Sequence, residues 1–295
     1  MKPIGLILCL WLGTYGCSSL NPPKTPEIEY SFYVAGHIYG SPFKQDEHIH
    51  EPFREIIPFL NAEPTLEFGV LTGDVVQFAS DEAWRVADST LAYLTDPYYI
   101  AAGNHDVGVD GGYREEYEKQ KGKTFYYHLI EDDLFIFLDP NLAFWNIEGE
   151  QLTFLRETLD TWGPGAEQIF VFFHQVLWWS PDNLFKNFHG NSVEGRAESI
   201  NFWTEVEPLF HAFEKPVYMF AGDVGAFYQF GSGYDAYFYY AYDHIHLIAS
   251  GMGNFVEDNL VIVDVMDDHT TRFRLIALNG TDRNRLGELT DYVIP

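Results

Sequence analysis

Three short apolar stretches break off at polar residues of related chemistry, and this repeated junction constrains the fold more than any other feature. Phe68-Gly-Val-Leu-Thr72 ends at Gly73-Asp74, Tyr98-Tyr-Ile-Ala-Ala102 ends at Gly103-Asn104-His105-Asp106, and Val171-Phe-Phe173 ends at His174. Short apolar runs punctuated by glycine or polar residues read as buried strands followed by turns. Strands are expected at Tyr30–Ala35, Leu66–Leu71, Tyr98–Ala101, Ile169–Phe173 and Val217–Ala221, then at Ala236–Ala241, His244–Ala249, Leu260–Met266 and Thr271–Leu278. Lys123–Ile130 and Asp133–Leu138 read as a hairpin turning at Glu131-Asp132. Helices are expected at Glu51–Leu60, Ala79–Tyr93, Glu148–Asp160 and Ser199–Phe213, with Leu152, Leu155 and Leu159 on one helical face. A βαβα first half and a β-rich second half predict an α/β (α+β) chain, with two packed sheets flanked by helices in a single domain from residue 30 to 295.

The junctions also carry chemistry. Asn104 follows Asp74 by 30 residues (104 − 74), which puts a carboxylate, an amide and an imidazole on loops at the ends of neighbouring strands. Hard oxygen ligands beside imidazole suit a Mn, Fe or Zn ion, which polarises phosphoryl oxygens or activates water. With 44 acidic and 17 basic residues the formal net charge is −27. That field repels nucleic acid and anionic membrane surfaces. Phosphate chemistry on such a chain therefore needs metal ions to reverse the potential locally.

At the N-terminus, Lys2 precedes the apolar run Ile4–Leu12, which is too short to span a bilayer, and Cys17-Ser18-Ser19 comes next. Residues 1–16 resemble a bacterial lipoprotein signal, with Cys17 carrying the lipid and residues 17–29 forming a tether; an ordinary secretory signal is the other reading. Either predicts a mature chain outside the cytoplasm, and the lipoprotein reading places it in the cell envelope. The two cysteines, Cys9 and Cys17, both belong to this segment. The mature body thus has no disulfide and no thiolate ligand, and metal binding would rest on His, Asp, Glu and Asn.

Gly73-Asp74, Gly103-Asn-His-Asp106 and Val171-Phe-Phe-His174, in this order, resemble successive motifs of the calcineurin-like metallophosphoesterases over roughly residues 30–280. The resemblance implies a four-layer αββα sandwich of two mixed β-sheets, with one or two metals at the strand ends. It makes Asp74 the carboxylate bridging both metals, and Asn104 and His174 ligands of the second. His105 would sit just outside the ligand shell as phosphate donor or general acid, with Asp106 orienting it.

The chain also departs from the family. Ala35-Gly36-His37 stands where Asp-x-His is usual, and Gly222-Asp223-Val224-Gly225 stands where Gly-His-x-His is usual. His37 and a share of Asp74 remain for the first metal; Asp74, Asn104, His174 and Asp223 remain for the second. Two clusters are candidates for rebuilding the first site, or else ordinary polar surface: Asp46-Glu47-His48-Ile49-His50, and Asp243-His244-Ile245-His246. Tyr39 is a further candidate. Trp178-Trp179, Phe227-Tyr228 and Phe230 are candidates for stacking on a substrate ring. The expectation is a metal-dependent phosphoesterase acting on a phosphomonoester or phosphodiester of a small molecule or glycan. The alternative is an inactive family member serving as an envelope binding or assembly protein.

Overall fold

The computed structural model describes residues 25–294 apart from 45–46, 189, 194, 228–235 and 255. The proposed signal (1–16), Cys17, most of the tether, and Asp46, Tyr228 and Phe230 lie outside the described residues.

Each sheet has a parallel centre. The five-stranded sheet has the order β11-β10-β1-β2-β3, built from β1 (Ile28–Ala35), β2 (Leu66–Leu71), β3 (Tyr98–Ile100), β10 (Asn259–Met266) and β11 (Thr271–Ala277). Here β1, β2 and β3 run parallel, and β10 and β11 are antiparallel additions. The six-stranded sheet has the order β4-β5-β6-β7-β9-β8, from β4 (Tyr126–Ile130), β5 (Asp133–Phe137), β6 (Ile169–Phe173), β7 (Val217–Ala221), β8 (Tyr237–Tyr242) and β9 (Ile245–Ser250). Its strands β5, β6, β7 and β9 are parallel, with β4 and β8 antiparallel at the edges.

Both faces of each sheet are buried, so the central strands are apolar throughout rather than alternating. In β6, Phe170 and Phe172 face the other sheet, whereas Ile169, Val171 and Phe173 join the core under the helices. Between the sheets lies an aromatic layer. Phe32 stacks on Phe68 at 5.1 Å and meets Phe170 edge-on at 5.2 Å and Phe135 at 5.4 Å. Helices α1 (Glu51–Leu60) and α2 (Asp81–Leu91) cover the five-stranded sheet through Ile56, Ile57 and Trp84. Helix α5 (Gly149–Trp162) covers the six-stranded one through Leu152, Leu155 and Leu159. The expected four layers and two mixed sheets are present.

Three elements differ from expectation. Ser199–Phe213 is not one α-helix but a π-turn at Phe202–Val206 followed by a 3-10 turn at Glu207–Ala212. Pro208 has no N–H and its ring displaces the preceding turn's carbonyl, so the α ladder cannot cross it. A helix at Arg114–Lys121 (α4) was not expected because its sequence is polar on every side. Only Tyr117 is buried, and the pairs Arg114–Glu118 and Lys119–Glu116 run along its surface. The short helix α3 (Asn104–Val107) begins inside the Gly-Asn-His-Asp motif itself.

The Phe32 ring is fully buried and touches rings from both sheets. Phe32→Ala is expected to lower unfolding free energy by about 3–5 kcal/mol, read from the urea midpoint at unchanged slope.

Candidate metal centre

The parallel strands deliver their C-terminal ends to one edge, and the polar junctions come directly after them. His37 lies two residues after β1, Asp74 three after β2, His174 immediately after β6, and Asp223 two after β7. The loops are tied by backbone bonds: His37 N–H donates to Gly73 O, and the N–H groups of Gly222 and Asp223 both donate to His174 O.

Asp74 occupies the middle. It holds a left-handed backbone (φ +54°), as does His37 (φ +57°), a conformation uncommon for non-glycine residues that Asp and His enter more readily than most. Its Oδ2 lies 3.2 Å from His174 Nε2 and 3.6 Å from His37 Nε2, and its Oδ1 accepts the His105 N–H at 3.0 Å. Gly103 makes this approach possible, since a Cβ there would lie 2.3 Å from Asp74 Oδ1.

Both imidazoles are fixed in the same sense. His174 Nδ1 donates to Thr72 O at 2.8 Å, and His37 Nδ1 donates to Met252 O at 3.1 Å, which leaves each Nε2 facing Asp74. A buried pin supports the Met252 loop. His50 Nε2 lies 2.8 Å from Asp258, which accepts the N–H groups of Gly253 and Asn254.

The site is a concentration of acceptors. Asp74, His174 and Asp223 each offer a ligand atom within 4.8 Å of the others. Asn104 Oδ1 is buried without a hydrogen-bond partner among the described residues, His174 Nε2 faces Asp74 Oδ2 at 3.2 Å and Asp223 Oδ1 at 3.6 Å, and the Ser192 backbone N–H approaches Asp223. At 4.8 Å two unit charges repel by about 3.5 kcal/mol at an effective dielectric near 20. Burial, with the Asp74 charge adding to it and His174 opposing, accordingly pushes the Asp223 carboxyl up to about 7. Burial alone would lower His174, but Asp74 and Asp223 outweigh it and raise the imidazole to about 10. Burial would raise Asp74, yet His174, His105 and His37 hold it below the usual carboxylate range. Burial drives His37 down to about 3, leaving it neutral and ready to ligate. Without an ion the His174 imidazole is thus charged at neutral pH and balances the carboxylates, a duty that a cation replacing its Nε2 proton would take over.

His105 is held by Gln77 O, which lies 2.7 Å from Nδ1, and by the Tyr39 hydroxyl, 3.3 Å from Nε2. The expected partner, Asp106, does not reach it. The Asp106 carboxylate accepts the N–H groups of Gly103, Val75 and Val76, so it ties the loop after β2 to the loop after β3. Asp106 therefore shapes the site through the backbone instead of orienting His105.

The expected rebuilding ligands are placed elsewhere. His48 is exposed, and His50 is committed to Asp258. His244 faces Phe210 O, and His246 packs on Tyr218 and pairs with the Tyr239 hydroxyl, both at the far end of the sheet. Tyr39 does lie at the centre, its ring 4.3 Å from that of His37 and 4.8 Å from that of His105. Of the tryptophan pair, Trp178 is in the core, while Trp179 is half-buried near Asp223 and carries the Arg196 guanidinium over its ring at 5.0 Å. Arg196 and the carbonyls of Thr72, Met252 and Gln77 were not anticipated. A backbone carbonyl has no sequence signature, and a lone arginine in a polar loop has a weak one.

Gly225 stands where the family places an imidazole on the first metal. Its φ is +97°, and a Cβ there would lie 2.8 Å from the backbone of Gly251 and Met252. Gly225→His is expected to destabilise the fold by more than about 1 kcal/mol and to add no metal equivalent, as read by urea unfolding and elemental analysis.

A family model described as calcineurin-like phosphoesterase matches residues 46–251. Among solved structures, purple acid phosphatase PPD1 from yellow lupin (Lupinus luteus) seeds aligns with a TM-score of 0.57 at 14% identity, covering 84% of this chain and 51% of that one. The Vps29 of Chaetomium thermophilum aligns with a TM-score of 0.37 at 9% identity, covering 84% of this chain and 94% of that one. The lupin likeness is one of fold, and this chain spans about half the length of that protein. No curated protein matches the sequence.

Proposed function

Since this chain belongs to the calcineurin-like phosphoesterase family, we propose that it is a metal-dependent phosphoesterase built on one firmly held ion. The observation that carries this reading is the buried cluster of ligand atoms: Asp74, His174 and Asp223 each offer one within 4.8 Å of the others, and Asn104 Oδ1, at the end of the neighbouring strand, is buried without a partner among the described residues. Such oxygen and imidazole groups match the preference of Mn, Fe or Zn. Asp74, Asn104, His174 and Asp223 would hold the ion. His37 and a share of Asp74 are what remains for a second.

A bound ion supplies Lewis acidity at a phosphoryl oxygen and makes water a competent nucleophile near neutral pH. The chain's own groups do the rest. In the reaction water attacks phosphorus, the P–O bond to the alcohol breaks, and the departing oxygen takes a proton. His105 is suited to deliver that proton from Nε2, because Gln77 O already fixes Nδ1 and thereby the ring plane. Tyr39 holds the same nitrogen in the resting state.

The altered first site favours a second reading, in which the protein binds a phosphate or glycan on the cell envelope without turnover. Metal content decides between the premises of both. Protein supplied with Mn, Fe or Zn is expected to carry about one ion per chain and to hydrolyse an aryl phosphoester. One ion without turnover supports the binding reading; no ion defeats both.

Asp223 gives a signed test. Its carboxyl, raised from 3.8 to about 7, makes the metal-free folded state take up a proton that the unfolded state lacks between those values. Metal-free stability therefore falls as pH rises from about 4 through about 7. Asp223→Asn is expected to stabilise the metal-free protein at about pH 8 and to abolish the stabilisation by metal, which for wild type reaches about 4 kcal/mol at a thousandfold excess over Kd. Thermal unfolding with and without metal reads both effects.

We further propose anchoring in the bacterial envelope through lipid on Cys17, supported by the apolar run Ile4–Leu12 ahead of it. Labelled palmitate is expected to enter the wild-type chain and not Cys17→Ala.

A further inference from the structure

We propose that the cavity beside Asp223 receives the leaving group, and that the substrate is the phosphoester of an apolar alcohol, aryl or branched alkyl. The inference rests on reading the adjoining centre as a phosphoesterase. The cavity, of about 80 Å³, is lined by the apolar side chains of Trp145, Val176, Trp179, Phe188 and Val193 together with Gly190, Ser192 and the ligand carboxylate Asp223. Phosphorus must sit against the ligand carboxylates, so the part of a substrate that reaches this cavity is the group esterified to it.

The walls are apolar and braced. The Arg196 guanidinium lies over the rings of both Trp145 (5.8 Å) and Trp179 (5.0 Å), and its terminal nitrogens donate to Ala197 O and Trp179 O. A cation held on two indole faces keeps them in place. The Trp179 Nε1–H is buried with no acceptor among the described residues, which leaves a donor on the wall for a ligand oxygen. Five of the eight lining residues are apolar side chains, so a group with many hydroxyls would lose water there with few partners in return.

Size narrows the class. An apolar cavity of about 150 Å³ holds a whole benzene, so this one takes the leading edge of a ring or a short branched chain. The remainder would extend outward past Val193, which lines the cavity and is 65% exposed.

The test compares phenylphosphonate with methylphosphonate, neither of which is hydrolysed, by calorimetry on the metal-loaded protein. Phenyl is expected to bind at least about tenfold tighter, the discrimination typical of an apolar pocket. Trp179→Ala should cut that preference to under about threefold. Val193→Asn, at an exposed position where folding is not at risk, should lower it in the same direction. Aryl over methyl phosphate preference in kcat/KM should show the same order. Equal affinity for the two phosphonates, or variants that weaken both alike, would overturn the subsite and leave the metal centre standing. Binding of neither would overturn the subsite and the phosphoesterase reading together.

Discussion

The Asp74 carboxylate is the constraint on which the rest of the site depends. It is buried, it sits on a left-handed residue, and it is approached by His37, His174 and the His105 N–H. Placing a second carboxylate, Asp223, within 4.8 Å of the same ligand atoms would be unfavourable in a dry interior. The fold supports the arrangement because the two acids come from loops of different sheets, each pinned by hydrogen bonds of its own. Gly222 and Asp223 N–H are tied to the backbone His174 O, and Val75 and Val76 N–H to the Asp106 carboxylate. Electrostatic strain is thereby held in place by the sandwich, and a cation relieves it.

Much of this was legible in the sequence because it lay in strand junctions. Buried parallel strands leave an unmistakable trace, as in Ile-Phe-Val-Phe-Phe at 169–173, and the topology places the residues just past each such strand at one edge of the sheet. His37, Asp74, Asn104, His174 and Asp223 were identifiable for that reason. Side-chain partners were not. Asp106 lies next to His105 in the chain, yet its side chain turns back to cap Gly103, and neighbouring residues on a tight turn commonly point apart. His244 and His246 fit an alternating pattern, but the direction of β9 puts them at the end away from the ligands. Pro208 was visible in the sequence too; the apolar spacing of Trp203, Val206 and Phe210 suggests a continuous helix there, but the backbone cannot carry one through the proline.

Packing constrains the loop after β7 independently of any ligand. At Gly225 the chain passes so close to Gly251 and Met252 that no side chain fits. Met252 O in turn fixes His37 Nδ1, and the His50–Asp258 pair holds that loop. The close approach at 225 and the orientation of the imidazole at 37 are parts of one packing arrangement.

This arrangement bears on how the reaction would finish. With two ions, the departing oxygen can be stabilised by the second. With one, its developing charge would have to be met by a proton, and His105, beside the ligands without being one of them, is the group proposed to supply it. A carbonyl on Nδ1 fixes the orientation of the ring, and a tyrosine on Nε2 can yield that nitrogen to a substrate oxygen. Asp106 contributes through the backbone it ties together, so the position of His105 depends on the loops after β2 and β3 and not on a carboxylate partner.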